Sequence, residues 1–194
     1  DTKLNNDTIP NLLKSLNKIK DFTLASAIND NPKIPNYKFY KLSEENEEFL
    51  SVDTIDGFSM FFNLKKFTDN NFFDENFFLY LENDDLCLRI KKKGGNIYVV
   101  KNSKINHKGS ISKNNNLEYL RNWHWMWSKF YFNKKHYGYL IAVFKVLKNL
   151  ISAKIKFFYY LLTLNTFKRK IYQMRLSGLI SSMTGKNSHY RPKI

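Results

Sequence analysis

From Tyr119 to the last residue, Ile194, the chain contains no aspartate and no glutamate, yet it carries 15 Lys and Arg. Residues 1–118 hold 17 basic and 17 acidic side chains, so the whole net charge of +15 sits in the C-terminal stretch. A stretch without acids cannot neutralise itself through surface ion pairs, which points to an anionic partner or to a solvated basic face. Cysteine is nearly absent as well. A single residue, Cys87, excludes an intrachain disulfide and agrees with a reducing compartment. Lying between Leu86 and Leu88, it reads as a small packing residue. Long apolar runs are also lacking. Between Tyr139 and Phe167 the hydrophobic stretches are broken by Lys145, Lys148, Lys154 and Lys156. A membrane span needs roughly 20 predominantly apolar residues, so helices lying in the membrane plane fit better than a crossing. Lys145, Lys148 and Lys156 share one helical face and Lys154 falls opposite.

The basic stretch is rich in rings: Tyr119, Trp123, Trp125, Trp127, Phe130, Tyr131, Phe132, then Phe157, Phe158, Tyr159 and Tyr160. Trp and Tyr beside Lys and Arg mark the membrane–water interface, where amphipathic rings and snorkelling cations settle. The three Trp are expected at headgroup depth unless their rings belong to the core. A basic aromatic surface also suits nucleic acid. The aliphatic runs YLIAVF, NLISA and FFYYLLTL favour acyl chains over phosphodiesters, so no nucleic acid is expected. A packed helical appendage with solvated lysines is the plainer alternative. The shift in charge sets a domain boundary near Asn114–Asn116, giving residues 1–113 and 114–194.

Within the first part, a helix is expected from about Thr8 to Lys20, with Asn6 or Asp7 as cap and Pro10 in its first turn. Strands follow at Phe22–Ala27 and from Phe49. Gly57–Phe62, GFSMFF, is apolar almost throughout and is expected to be a strand buried on both faces. A helix over about Asn83–Lys93 ends at Gly94-Gly95, NIYVVK is the next strand, and helices dominate from about Ser112. Strands followed by helices imply an α/β half-domain with a helical extension.

The segment Phe72–Arg89, FFDENFFLYLENDDLCLR, carries the most chemistry. An aromatic run leads into Glu82, Asp84 and Asp85, which open the helix DLCLRIKKK. Free N–H groups and partial positive charge at a helix N-terminus keep such carboxylates ionised and oriented. In the plainer alternative they only complement the helix dipole, with Asp85 and Arg89 paired at i,i+4.

Four pieces in order, DGFSMFF (Asp56–Phe62), LYLENDDLCLR, GGNIYVV and INHKGS (Ile105–Ser110), resemble the catalytic half of inverting glycosyltransferases of family 2, which have the GT-A fold. The nearest group is the bacterial rhamnosyltransferase-like enzymes of surface polysaccharide biosynthesis. The resemblance covers roughly residues 1–110. It implies a partial GT-A domain, a nucleotide-sugar donor (dTDP-rhamnose is one candidate), a lipid-linked or glycan acceptor, and inversion at the anomeric carbon. It places the protein in the cytoplasm, peripheral at the inner face of the cytoplasmic membrane.

The resemblance also implies roles. The family's Glu-Asp pair, whose Asp is the usual base, is Glu82-Asn83 here. An amide cannot take a proton from a sugar hydroxyl, so Asp84 is the nearest base, with Glu82 next. Asp56, Gly57, Asp85 and Arg89 are expected at the substrate. Gly57 would let sugar approach the backbone, although Asp-Gly also reads as a simple turn. Asp1 corresponds to the last carboxylate of the metal motif, the nucleotide-gripping half then lying upstream, and a frayed terminal residue is the alternative. His107 stands where these enzymes often place a His near the metal, Mn²⁺ or Mg²⁺, although a lone His is often structural. Two other readings stay open: a catalytically impaired GT-A-like binding module, and a basic nucleic-acid-binding protein.

Overall fold

A computed structural model describes residues 2–19, 21–39, 46–67, 72–109 and 114–192. The fold is mixed α/β and divides into two compact units, residues 1–74 with 82–110, and residues 75–81 with 111–194. The sequence boundary at 113/114 is therefore joined by a second crossing, because residues 75–81 belong with the helices. The aromatic run is split accordingly. Phe72 and Phe73 pack on Phe62 in the first unit, while Phe77 and Phe78 meet Tyr131 and His124 in the second.

The first unit runs β1 (Thr2–Leu4), α1 (Thr8–Leu16), β2 (Leu24–Asn29), β3 (Tyr37–Lys38), β4 (Phe49–Ser51), β5 (Thr54–Ile55), β6 (Phe61–Phe62), a 3₁₀ turn (Leu64–Lys66), α2 (Glu82–Lys92) and β7 (Ile97–His107). Its main sheet has the order β1-β7-β2-β6, with β4 also on β7; β3 and β5 form a separate ribbon. β2 and β7 are parallel, and β1, β4 and β6 join antiparallel.

Side chains alternate across a strand, and the sheet uses both faces. Ile97 and Val99 pack with Leu24, Leu86, Cys87 and Ile90 on the α2 side. Val100 and Ala25 pack with Leu12 and Leu16 of α1 on the other. α1 ends near Leu16, short of the expected Lys20. α2 stops where its apolar face runs out: Gly94 has φ +78, and a Cβ on Gly95 would lie 2.7 Å from Ile90 Cγ2 and 2.8 Å from Thr23 Oγ1. Only glycine fits that approach of helix to strand. Cys87 is fully buried, and burial pushes its thiol up to about 12.

The expectation of a buried strand over GFSMFF fails. Only Phe61–Phe62 is strand, and no residue of the run is fully buried. Ring packing takes up its hydrophobicity instead: Phe61 meets Phe22, Phe62 meets Phe67 and Phe72, and Phe58 stacks on His107.

The second unit contains α3 (Asn115–Tyr137), α4 (Tyr139–Leu162) and α5 (Thr166–Met183), with residues 75–81 packed on α3. The Asn114 side chain caps α3 by accepting from the Asn116 N–H, and Asn165 caps α5 likewise through Lys168. Gly138, at φ +88, breaks α3 from α4. Trp123 is 1% exposed and Trp127 3%, their indole N–H groups donating to Ser177 Oγ and to the Lys186 carbonyl. This corrects the interfacial expectation for the tryptophans. Trp123 and Trp127, one turn apart, face the core, and only Trp125 is exposed. No helix among the described residues is long and apolar enough to cross a membrane.

Candidate functional site

The acidic end of α2 gathers most of the residues singled out from the sequence. The chain enters this helix through two left-handed residues, Tyr80 (φ 68) and Leu81 (φ 67). Side chains with a Cβ adopt that conformation at a cost of order 1–3 kcal/mol each, and such strain concentrates at functional sites. Asn83 donates from Nδ2 to the Ile55 carbonyl at 2.8 Å, tying the first turn of α2 to β5. That bond requires an amide donor; a carboxylate there would face a carbonyl oxygen. Asn83 is thus an anchor of the first turn of α2.

Directly after β5 come Asp56 and Gly57. The Asp56 N–H donates to the Asn36 carbonyl at 2.8 Å. A Cβ built on Gly57 would stand 3.8 Å from Asn83 Cβ and 4.0 Å from Glu82 Oε1, so this glycine lies against the start of α2. Lys38 reaches in from β3, with Nζ 3.9 Å from Asp84 Oδ1. His107, the last residue of β7, stacks on Phe58 with ring centroids 3.9 Å apart, and lies close enough to Asp56 to favour its ionised form.

Burial dominates the electrostatics. It pushes Asp56, Glu82 and Asp84 above the ordinary carboxylate range. Lys38 opposes the shift at Asp56 and Asp84, and the Asp84 charge adds to it at Asp56 and Glu82. Oε2 of Glu82 is buried with no hydrogen-bond partner among the described residues. Three carboxylates held partly out of water, with one oxygen unmatched, are equipped to accept protons from hydroxyl groups.

Two expectations move. Asp85 was placed at the substrate, but it is 0% exposed and pairs with Arg89 Nε at 2.9 Å. Arg89 also donates to the Phe72 carbonyl. With Asp85 enclosed and Arg89 fastened at both ends of its guanidinium, the pair anchors α2 rather than facing a ligand. Asp1 lies outside the described residues; its neighbour Thr2 is the strand partner of His107. Among the described residues no group of three or more His, Cys, Asp or Glu is placed to hold a metal ion, so His107 would need ligands from beyond them. A pocket of about 200 Å³ lined by Asp21, Thr23, Arg89, Lys93 and Gly95 opens at the opposite end of α2, and Asp56, Glu82 and Asp84 do not line it.

The sequence reading missed two contributors. Asn36 is fully buried, accepts the Asn29 N–H and donates to Ser26 Oγ and the Ala27 carbonyl. It fastens the loop that delivers β3, and with it Lys38. Neither residue sits in a motif, and nothing in the linear sequence marks them.

No protein-family model matches the chain, and neither a curated protein nor a solved structure is significantly similar to it.

Proposed function

We propose that the first unit is the acceptor-side half of a GT-A-type inverting glycosyltransferase, acting on a nucleotide-sugar donor and a lipid-linked or glycan acceptor in surface-polysaccharide assembly. One observation supports this reading most: Asp56, Glu82 and Asp84, all with carboxyl groups raised by burial, cluster beside Gly57 at the N-terminus of α2. Asp84 takes the proton of the acceptor hydroxyl while that oxygen attacks the anomeric carbon. The bond from this carbon to the diphosphate breaks in the same displacement, the nucleoside diphosphate leaves, and configuration inverts. A base raised above the ordinary aspartate range by burial holds the abstracted proton more firmly, and Lys38 opposes that rise by favouring the ionised form. Glu82, with its unmatched oxygen, orients the acceptor by receiving a second hydroxyl hydrogen. Gly57 leaves its side of the cluster open for the sugar ring. A divalent cation bound by Asp1 and His107 would supply positive charge for the departing diphosphate.

The Asn83–Ile55 bond favours one competitor, a sugar-binding module that kept the fold and lost turnover. Measuring sugar transfer by the intact polypeptide, with a panel of nucleotide sugars, separates the two. Turnover that falls about 10²–10⁴-fold in Asp84→Asn, and less in Glu82→Gln, supports the transferase. Near-normal turnover in Asp84→Asn refutes Asp84 as base, and acceptor binding without transfer supports the module.

A further inference from the structure

α4 packs through one side only. Ala142, Val146 and Ala153 are buried against the rest of its unit. Diametrically opposite, at the helical 100° per residue, run Leu140, Phe144, Leu147, Ile151, Ile155 and, one turn further, Phe158 and Leu162. Their successive spacings are four, three, four, four, three and four residues, so they form a stripe about 33 Å long. Leu140 is 73% exposed, Phe144 75% and Leu162 82%. Lys148 and Lys154 flank this stripe at roughly 60° on either side, where snorkelling ammonium groups would border an inserted apolar face. Lys145 and Lys156 lie further round, over the rings of Tyr137 and Tyr172.

We infer that this face of α4 is the docking surface for an anionic lipid bilayer, with the helix lying in the membrane plane and its stripe inserted between headgroups. Charge selects the occupant. Neither α4 nor α5 contains an acid, so pairing with a second copy would line up lysines along the seam with no carboxylate to meet them. Nucleic acid would satisfy the lysines and leave the aliphatic stripe in water. An anionic bilayer satisfies both, and no helix among the described residues is long and apolar enough to cross it. The inference is independent of the transferase reading, since it uses only the second unit. It also relocates the inserted residues, from the buried tryptophans to α4.

The test is flotation of the chain with phosphatidylcholine vesicles and with phosphatidylcholine–phosphatidylglycerol vesicles, at low and high salt. Capture by the anionic vesicles is expected, weakened by salt and not abolished. The double variant Phe144→Ser/Ile155→Ser should reduce partitioning about tenfold or more at both salts. Lys148→Glu/Lys154→Glu should reduce it comparably at low salt only, and Trp125→Ser should leave it unchanged. All five positions are outside the core, and circular dichroism checks that each variant stays helical. Parent-like flotation of both double variants overturns the inference, as does equal capture by neutral vesicles. A solution dimer that Phe144→Ser/Ile155→Ser dissolves, without vesicle capture, assigns the face to a second copy and also overturns it. So does capture by an oligonucleotide with no capture by either vesicle.

Discussion

Replacing Gly178 by alanine tests how closely α3 and α5 approach. A Cβ at this position would lie 2.2 Å from the Trp123 carbonyl oxygen, 3.0 Å from its carbonyl carbon and 3.2 Å from its Cα. Carbon and carbonyl oxygen tolerate no less than about 3.3 Å, so the two backbones must separate by about 1 Å. All three clashing atoms are backbone within a helix and cannot rotate away. Forcing them apart costs about 1–3 kcal/mol as overpacking. A gap of that width also forfeits a quarter to a half of the dispersion between the facing side chains, here Trp123, Met126, Phe130 and Leu179. Alanine returns about 1 kcal/mol in helix propensity. The balance is a loss of about 2–3 kcal/mol, or a Tm lower by about 8–20 °C for a unit of this size. Trp123, Trp125 and Trp127 all belong to the second unit, so tryptophan fluorescence during thermal and urea unfolding reports that unit alone. Gly185→Ala is the control: its φ is +77 with open space around it, and it should cost only about 1–2 kcal/mol. If Gly178→Ala melts with the parent or above it, the close crossing of α3 and α5 is wrong.

Arg89→Ala should destabilise the first unit by about 3–5 kcal/mol, because it breaks the enclosed Asp85–Arg89 ion pair by removing one partner; Arg89→Ala/Asp85→Leu should recover much of the loss in urea titration. Gly57→Ala should leave the urea midpoint within about 0.5 kcal/mol of the parent, since its Cβ has ordinary contact distances; the same variant should impair acceptor binding, measured by calorimetry, if sugar approaches there. His124 is enclosed, with Nε2 at the Tyr190 carbonyl and Nδ1 at Ser188 Oγ, and burial lowers it to about 4. Its folded value lies below the unfolded 6.5, so its contribution is complete above pH 6.5 and is lost as pH falls through about 4. About 3 kcal/mol should disappear across that window in fluorescence-monitored denaturation, and His124→Gln should flatten the slope. Asp56, Glu82 and Asp84 act in the opposite sense on the first unit. Their folded values are raised, so stability should fall as pH rises from the ordinary carboxylate range of 3.8–4.5, and Asp84→Asn should reduce that fall.

α2 was legible because several local signals agree there: acids at its start, Leu86, Cys87 and Ile90 on one face, and two glycines at its end. NIYVVK was legible for the same reason, its alternation matching a sheet covered on both sides. The tryptophans were misread because composition was weighed before period. Spacing of two places Trp125 away from Trp123 and Trp127, and a 3.6-residue helix then buries the outer pair. GFSMFF failed for a different reason. Its aromatics bury themselves by stacking on one another and on His107, which a hydrophobic run does not distinguish from strand pairing. Lys38 and Asn36 were invisible because their importance arises only when a loop closes beside α2. Gly178 looks like a flaw in a helix until the helix facing it is known.

β7 meets β1 at residues 105–107, β2 along its length and β4 at residues 98–100, so among the described residues three of the sheet's four pairings run through one strand. Thr2 pairs with His107, more than a hundred positions later. Among the described residues β7 is the sheet partner of both β1 and β4, so these two pairings wait for that last strand. On a ribosome those pairings must therefore wait, with α1 and the strands before α2 already out, until His107 clears the exit tunnel. Such dependence on distant partners makes for slow closure, and it makes Ile97–His107 the segment whose arrival starts the clock. Pulse-labelling of nascent chains would register that moment as a single late gain of protection, shared by β1, β2 and β4.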